Sequence, residues 1–226
     1  MQTSSGYFIR RPIFMGKIIF TVAAIVLLNL LPLVGEPGLM LHFKTIFLIV
    51  AAASLWLSQP AFSTRDAKEN KTSDRFSILI ILITSSCSVV FSVLEWAYFS
   101  QDQSAVNVNV YAGAILLIFG IFIRIYSIQT LGKHFTATAK INNDHELIPA
   151  GPYQFVRHPS YLGAFMAIVG MPLFLNDKWA ILFVIMAMSV AYYIRINVEE
   201  KMLSTFFGER YIQYKSNTKR IIPFIW

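Results

Sequence analysis

Long uncharged runs of Leu, Ile, Val, Ala and Phe alternate with short polar segments along this chain. Five of them, at positions 18–35, 45–62, 76–94, 103–123 and 159–176, reach the roughly 18 residues that an apolar helix needs to cross a hydrocarbon core. A sixth, 179–194, is slightly shorter and is flanked by aromatic residues of the kind that settle at a membrane interface. Helix is the expected element in each, because a helix satisfies its own backbone hydrogen bonds where there is no water to do so. The pattern predicts an all-α fold, a polytopic integral membrane protein of about six spans. Residues 195–200 remain helix-like after the sixth run. Beyond them, 202–214 sets Met202, Leu203, Phe206, Phe207, Tyr211 and Tyr214 among polar residues. That alternation predicts an amphipathic helix along the inner interface, kinked or divided at Gly208. There is no internal repeat.

Composition agrees with the pattern. Hydrophobic residues make up 56% of the 226 positions and charged ones 14%, against about a quarter charged in soluble domains. The net charge of +7 does not point to nucleic acid, because the cations alternate by segment. Arg10 and Arg11, the group Arg65, Lys68, Lys71 and Arg75, then Lys133, Lys140 and Arg157, and finally the tail with Lys201, Arg210, Lys215, Lys219 and Arg220 fall on one side. The loops around Glu36 and Asp102 carry no cation, and the next carries only Lys178. Positive-inside placement then puts both termini in the cytoplasm. The first apolar run is too long for a signal-peptide core and lacks a small-residue cleavage site. The single cysteine, Cys87, sits within a span and is expected as a buried apolar filler.

Polar chemistry concentrates in the second half. The stretch Gly151-Pro152-Tyr153-Gln154-Phe155-Val156-Arg157-His158-Pro159-Ser160-Tyr161-Leu162-Gly163 places cations, an imidazole and phenols at the mouth of a span, where ionisable groups are costly to hold. Pro159 suits the first turn of a helix, so His158 is expected at its amino end, where free N–H groups can receive an anion. Arg157 reads as a surface anchor. Arg195 and Glu199, four apart, share a helical face and serve either as a local ion pair or as ligand contacts. A carboxylate there can hold a ribose hydroxyl or an amine, and a guanidinium a carboxylate. Glu95, beside Trp96, reads as interfacial. His145 lies among acids at no metal-ligand spacing, so no metal is expected.

Taken in order, His145-x-Leu147-Ile148-x-x-Gly151-Pro152-Tyr153, Arg157-His158-Pro159-Ser160-Tyr161-x-Gly163, Arg195-x-x-x-Glu199-Glu200, Phe207-Gly208-Glu209-x-Tyr211-x-x-Tyr214 and the terminal Pro223-Phe224-Ile225 resemble the isoprenylcysteine carboxyl methyltransferase family. More distantly they are similar to phospholipid methyltransferases. The resemblance covers roughly residues 130–226. It implies a membrane enzyme that uses S-adenosyl-L-methionine, with residues 109–226 as a catalytic core holding a cytosolic cofactor pocket and residues 1–108 as three structural spans. By position it implies cofactor contacts at His145, Leu147, Ile148, Tyr153, His158, Pro159, Ser160, Tyr161 and Glu199. It implies that Arg195, working with Glu199 as the catalytic pair, receives the acceptor's carboxylate. Where some family members carry a glutamine, this chain has Thr138, and Lys140 or Asn142 stands near to supply that contact.

Methyl transfer from a sulfonium is an in-line displacement governed by positioning, and an ionised carboxylate acceptor needs no base. An amine or thiol acceptor would need one, for which Glu199 or His158 would serve. The expected partners are the bilayer and a lipidic or small methyl acceptor, in a bacterial inner membrane or the endoplasmic reticulum. The sequence does not fix the acceptor or the oligomeric state. The competing readings are an NADPH-dependent enzyme like the sterol reductases and a non-catalytic membrane scaffold. A transporter fits less well, since the polar groups cluster at the inner boundary and not at the midplane.

Overall fold

The computed structural model describes residues 10–59, 72–135 and 146–222. Among these residues the chain forms seven α-helices and no sheet beyond an isolated bridge between Val156 and Lys219. We number them α1 (Arg10–Ile25), α2 (Phe43–Ser58), α3 (Thr72–Phe99), α4 (Val108–Leu131), α5 (Pro159–Leu175), α6 (Trp179–Phe207) and α7 (Glu209–Asn217). The stretches Met15–Leu33, Arg75–Phe99, Val108–Leu131 and Trp179–Phe207 are long and apolar enough to cross a membrane, and α2 and α5 are shorter apolar helices. Large side chains such as Ile19, Ile83, Ile115, Phe122 and Met186 stand more than half exposed on the outside of the bundle. Hydrocarbon is the solvent that such a surface requires.

The element ends depart from the hydropathy runs for local reasons. The first run is α-helical only to Ile25, then widens into a π-turn at Val26–Leu30 and tightens into a 3-10 turn at Leu31–Leu33. Pro32 has no N–H to continue the ladder. Tyr98 closes the turn, donating its hydroxyl to the Pro32 carbonyl at 3.0 Å and accepting from the Gly35 N–H at 3.1 Å. The fourth helix starts at Val108, later than the run at 103, because Asn107 caps it through the N–H groups of Asn109 and Val110. It then continues past Arg124 to Leu131. The amphipathic tail is two pieces: α6 runs to Phe207, Gly208 takes a φ of 56°, and α7 leaves in a new direction. Cys87, expected in the core, is exposed on the outer face of α3. Its neighbour Ser88 occupies the buried face instead.

Close helix contacts set the bundle. Gly113 and Gly120 on α4 meet Gly163 and Gly170 on α5, each pair spaced seven residues apart so that they recur on one side. A Cβ added at Gly120 would lie 2.5 Å from the Ala167 backbone nitrogen and 2.6 Å from the Gly163 carbonyl oxygen. Small residues let backbones approach in this way in a membrane, where packing, not hydrophobicity, drives helix association. On the other side, α6 packs against α3 and buries a stripe of Ala180, Val184, Met188 and Ala191, while α3 buries Ser88, Ser92, Val93 and Trp96.

Near the carboxyl end of α3, Glu95 has a structural role. Its carboxylate accepts from the N–H groups of Lys178 and Trp179 at 3.0 Å and of Ala180 at 2.6 Å. It thereby caps α6 where the helix dipole favours a negative charge. Lys44, which the sequence reading passed over, opens α2 at this same end, fully buried beside the Trp96 ring. Asp177, in the turn between α5 and α6, is 7% exposed. Burial first, then the nearby Glu95 charge, push its carboxyl up to about 8, with Lys44 acting in the opposite direction.

Two outcomes follow for stability. Gly120→Leu should lower the thermal midpoint of detergent-solubilised protein, since overpacking of this kind costs about 1–3 kcal/mol. Gly38→Ala, with nothing within 4 Å of its added Cβ, should not. Because folding raises the Asp177 pKa, the folded chain binds this proton more tightly than the unfolded chain does. Stability contributed by the neutral acid is therefore lost as pH rises from the carboxylate range through about 8. Thermal scans at pH 6 and pH 9 should show that loss in wild type, and Asp177→Asn should flatten it.

Candidate functional site

The buried stripe on α6 continues one turn beyond Ala191 to Arg195, which is 2% exposed. A guanidinium held out of water needs its donors met, and two other helices supply acceptors. Its Nε donates to the Tyr161 hydroxyl on α5 at 3.0 Å, and its Nη1 donates to Ser77 Oγ on α3 at 3.0 Å. Tyr161 in turn donates its hydroxyl to Glu199 Oε2 at 2.6 Å. Arg195 Nε lies 3.9 Å from that same oxygen, as the four-residue spacing predicts, and His158 Nδ1 lies 3.9 Å from Glu199 Oε1. One phenol thus links a cation and a carboxylate; Glu199 and Tyr161 remain partly exposed, while Arg195 and His158 are buried.

A second cluster lies one residue along. Glu200, 3% exposed, receives Arg157 Nε on Oε1 at 2.9 Å and Arg220 Nη2 on Oε2 at 2.8 Å. His158 Nε2 and Lys215 Nζ stand at 3.3 and 3.4 Å. Arg157 also donates from Nη1 to the Lys215 and Thr218 carbonyls. Its backbone N–H reaches the Lys219 carbonyl at 2.8 Å, and the His158 N–H the Arg220 carbonyl at 3.0 Å. The tail beyond α7 is therefore tied to the segment before α5 by both backbone and charge. Arg157 anchors protein and not a lipid surface, and the His158 N–H is already used. Pro159 is the first residue of α5, as its ring predicts.

Members of both clusters, Tyr161, Arg195 and Glu199 of the first and Arg157 and His158 of the second, line one end of a cavity of about 380 Å³. Leu147, Ile148, Tyr153, His158, Ser160, Tyr161, Arg195 and Glu199 all line it, so most of the expected site residues converge on one space. Pro159 is fully buried and is not on the wall. His145, together with Thr138, Lys140 and Asn142, lies outside the described residues. Tyr211 and Tyr214 of α7 complete the inner wall. Tyr214 donates to the Tyr153 carbonyl at 2.7 Å, whereas the buried Tyr211 hydroxyl has no hydrogen-bond partner among the described residues. Burial pushes the hydroxyls of Tyr153, Tyr211 and Tyr214 above the ordinary phenol range, so each stays protonated as a donor.

Sequence reading missed Arg124. Its Nη1 donates to both the carbonyl and the Oγ of Ser160 at 3.1 Å, and its Nη2 to Gln59 Oε1 at 2.9 Å. A cation inside an apolar helix was the available signal, but its sequence gave no partner. Nor did the sequence give Glu200 a role beyond its place in the family motif, since its partners come from three separate segments. From this polar end the cavity extends into an apolar region walled by the π-turn after α1, by α2 and α3, and by α4 and α5, including Leu48, Ala51 and Ile78. It can hold a polar head at one end and a hydrocarbon tail at the other.

Residues 113–205 match the model of the isoprenylcysteine carboxyl methyltransferase family. The Protein-S-isoprenylcysteine O-methyltransferase of Saccharomyces cerevisiae is 31% identical over 186 residues, spanning 81% of this chain and 75% of the yeast protein. The Arabidopsis thaliana protein of that name, form A, is 36% identical over 116 residues, 50% of this chain and 58% of its own length. Among solved structures, the eukaryotic intramembrane Ras methyltransferase ICMT superposes with a TM-score of 0.64 at 26% identity, covering 92% of this chain and 75% of that one. Arg124, the Arg157–Tyr161 stretch, Arg195 and both glutamates fall inside the family match. With similarity to the yeast enzyme running through most of both sequences, the chain belongs to the isoprenylcysteine carboxyl methyltransferase family.

Proposed function

We propose that this membrane methyltransferase moves a methyl group from S-adenosylmethionine to the free carboxylate of an isoprenylated cysteine. The observation that carries the reading is the single cavity joining the Tyr161–Arg195–Glu199 cluster to an apolar chamber between helices. An acceptor with an anionic head and a hydrocarbon tail matches both ends. The polar end suits the cofactor: Tyr153 offers an aromatic wall, Leu147 and Ile148 apolar contacts, and the Tyr211 hydroxyl a donor with no partner among the described residues. Glu199, His158, Ser160 and Tyr161 would hold its polar groups, and His145 is assigned there by resemblance. When bound, S-adenosylmethionine supplies a methyl carbon whose bond to a cationic sulfur breaks as the acceptor oxygen bonds to it.

The chain's own residues then have positioning to do. The acceptor carboxylate is ionised at neutral pH and needs no base. Arg195 orients it, because Tyr161 and Ser77 hold the guanidinium at one edge and at one end. A fixed reacting pair removes the entropic part of the barrier, and the low-polarity chamber excludes water that would compete for the donors. In this reading residues 109–226 hold the cofactor and the reacting carboxylate, and residues 1–108 wall the lipid. Both termini and the cofactor pocket face the cytosol, in keeping with the loop charges.

Calorimetry with S-adenosylhomocysteine on detergent-purified protein tests the cofactor assignment. Micromolar binding should weaken in Glu199→Ala and Tyr161→Phe, whereas NADPH should bind poorly. Arg195→Ala should lower methylation of N-acetyl-S-farnesylcysteine by about a hundred-fold, the scale of a misplaced reactant, while leaving S-adenosylhomocysteine affinity nearly intact. Equal loss of both would remove the division of roles. Glu200→Gln should free the tail, costing about 3 kcal/mol as expected when a buried ion pair loses one partner. Limited proteolysis within residues 209–222 should report it. Lys215→Ala, at a half-exposed position, should change little.

A further inference from the structure

Arg124 is the one charged residue of α4, set between Ile123 and Ile125. It is half-buried on the cavity wall. Its guanidinium is held at both terminal nitrogens, Nη1 by the carbonyl and Oγ of Ser160 and Nη2 by Gln59 Oε1. A guanidinium has five N–H donors, and the Nε donor makes no hydrogen bond among the described residues. Gln59 is itself set in place. It follows the last turn of α2, where its backbone N–H donates to the Trp56 carbonyl at 3.3 Å and its Nε2 to the Leu55 carbonyl at 3.2 Å. With the amide nitrogen used on its own helix, the amide oxygen is left for Arg124. Gln59 also lines the cavity, and it lies well before residue 113, where the family match begins.

We infer that Gln59 is a positioning residue for methyl transfer, which acts through Arg124 on the anionic head of the acceptor. The inference rests on the proposed carboxylate acceptor and goes beyond it, by bringing a side chain of the first half of the chain into the reaction. A guanidinium held at one nitrogen swivels about that contact. Held at both, on α5 and on α2, its planar fork keeps one orientation, and the direction of the remaining Nε donor is fixed with it. Ser77 of α3 holds Nη1 of Arg195 in the same manner. An ionised acceptor gains most from such a donor, because charge-assisted hydrogen bonds are about twice as strong as neutral ones. The effect of Gln59 therefore falls on the free acid and not on its methyl ester.

Calorimetry on the full chain in detergent, with saturating S-adenosylhomocysteine, compares N-acetyl-S-farnesylcysteine with its methyl ester. Wild type should bind the acid more tightly. Gln59→Leu should weaken the acid about ten-fold, the scale of one hydrogen bond to a charged group. Affinity for the ester and for S-adenosylhomocysteine should stay as in wild type, and kcat/KM for the acid should fall with its affinity. Unchanged acid binding in a folded Gln59→Leu variant overturns the inference. Parallel weakening of acid and ester overturns it as well, since a merely structural residue gives that result. Gln59→Met is the second variant, and loss of folding in both makes the residue structural and has the same consequence. Equal binding of acid and ester by wild type overturns the inference at once. In each of these cases the prenylated acceptor still binds and the proposed function stands. Failure of wild type to bind either farnesyl compound removes the proposed acceptor together with the inference.

Discussion

Glu200 sits two turns from the end of α6, 3% exposed, with two arginines, a histidine and a lysine around it. Taking a carboxylate out of water costs several kcal/mol unless opposite charge and hydrogen bonds replace the solvent. Meeting that cost fixes where Arg157 and Arg220 must lie, and with them the loop before α5 and the tail after α7. The adjoining helices α5 and α7 thereby carry Tyr161, Tyr211 and Tyr214 to the cavity, beside His158. The neighbouring residue, Glu199, is left on the wall with Tyr161 as its donor. Of two adjacent glutamates, one assembles the site and the other faces its contents.

The cavity itself is a consequence of uneven packing. Glycines bring α4 and α5 almost to backbone contact, and the Ala- and Ser-rich faces of α6 and α3 pack closely as well. Between α2, α3 and the π-turn after α1 on one side and α4 and α5 on the other, a chamber remains. No hydrophobic force closes such a space in lipid, because a tail inside it is as well solvated as one outside. The gradient from charged to apolar along its length follows from membrane depth. The ionisable groups of the cavity gather at one end of it, where they are partners for one another. A lipidic acceptor entering from the bilayer would leave its head at that end without being carried across.

The all-α membrane fold, the close approach of Arg195 to Glu199 and the placement of Pro159 were legible because each depends on spacing along one helix. The residues around the second glutamate were not. Arg157, Lys215 and Arg220 are far apart in the chain, and nothing local to any of them indicates that they share a carboxylate. Cys87 went wrong for a related reason. Hydropathy places a residue within a span but not on a face, and one step of 100° separates it from buried Ser88. The first helix was longer in the hydropathy pattern than in the fold, since apolar content does not distinguish an α-turn from a π-turn.

What the sequence determined by itself was the solvent, the number of apolar helices and the stretch in which the chemistry would lie. Those follow from composition and period, which a helix expresses without help from its neighbours. Tertiary structure decided which polar groups meet, which glutamate is buried, and that bland helices from the first half wall a chamber. The physical reason is that burial and pairing belong to the space between helices. That space exists only once glycine contacts and buried charges have fixed the distances.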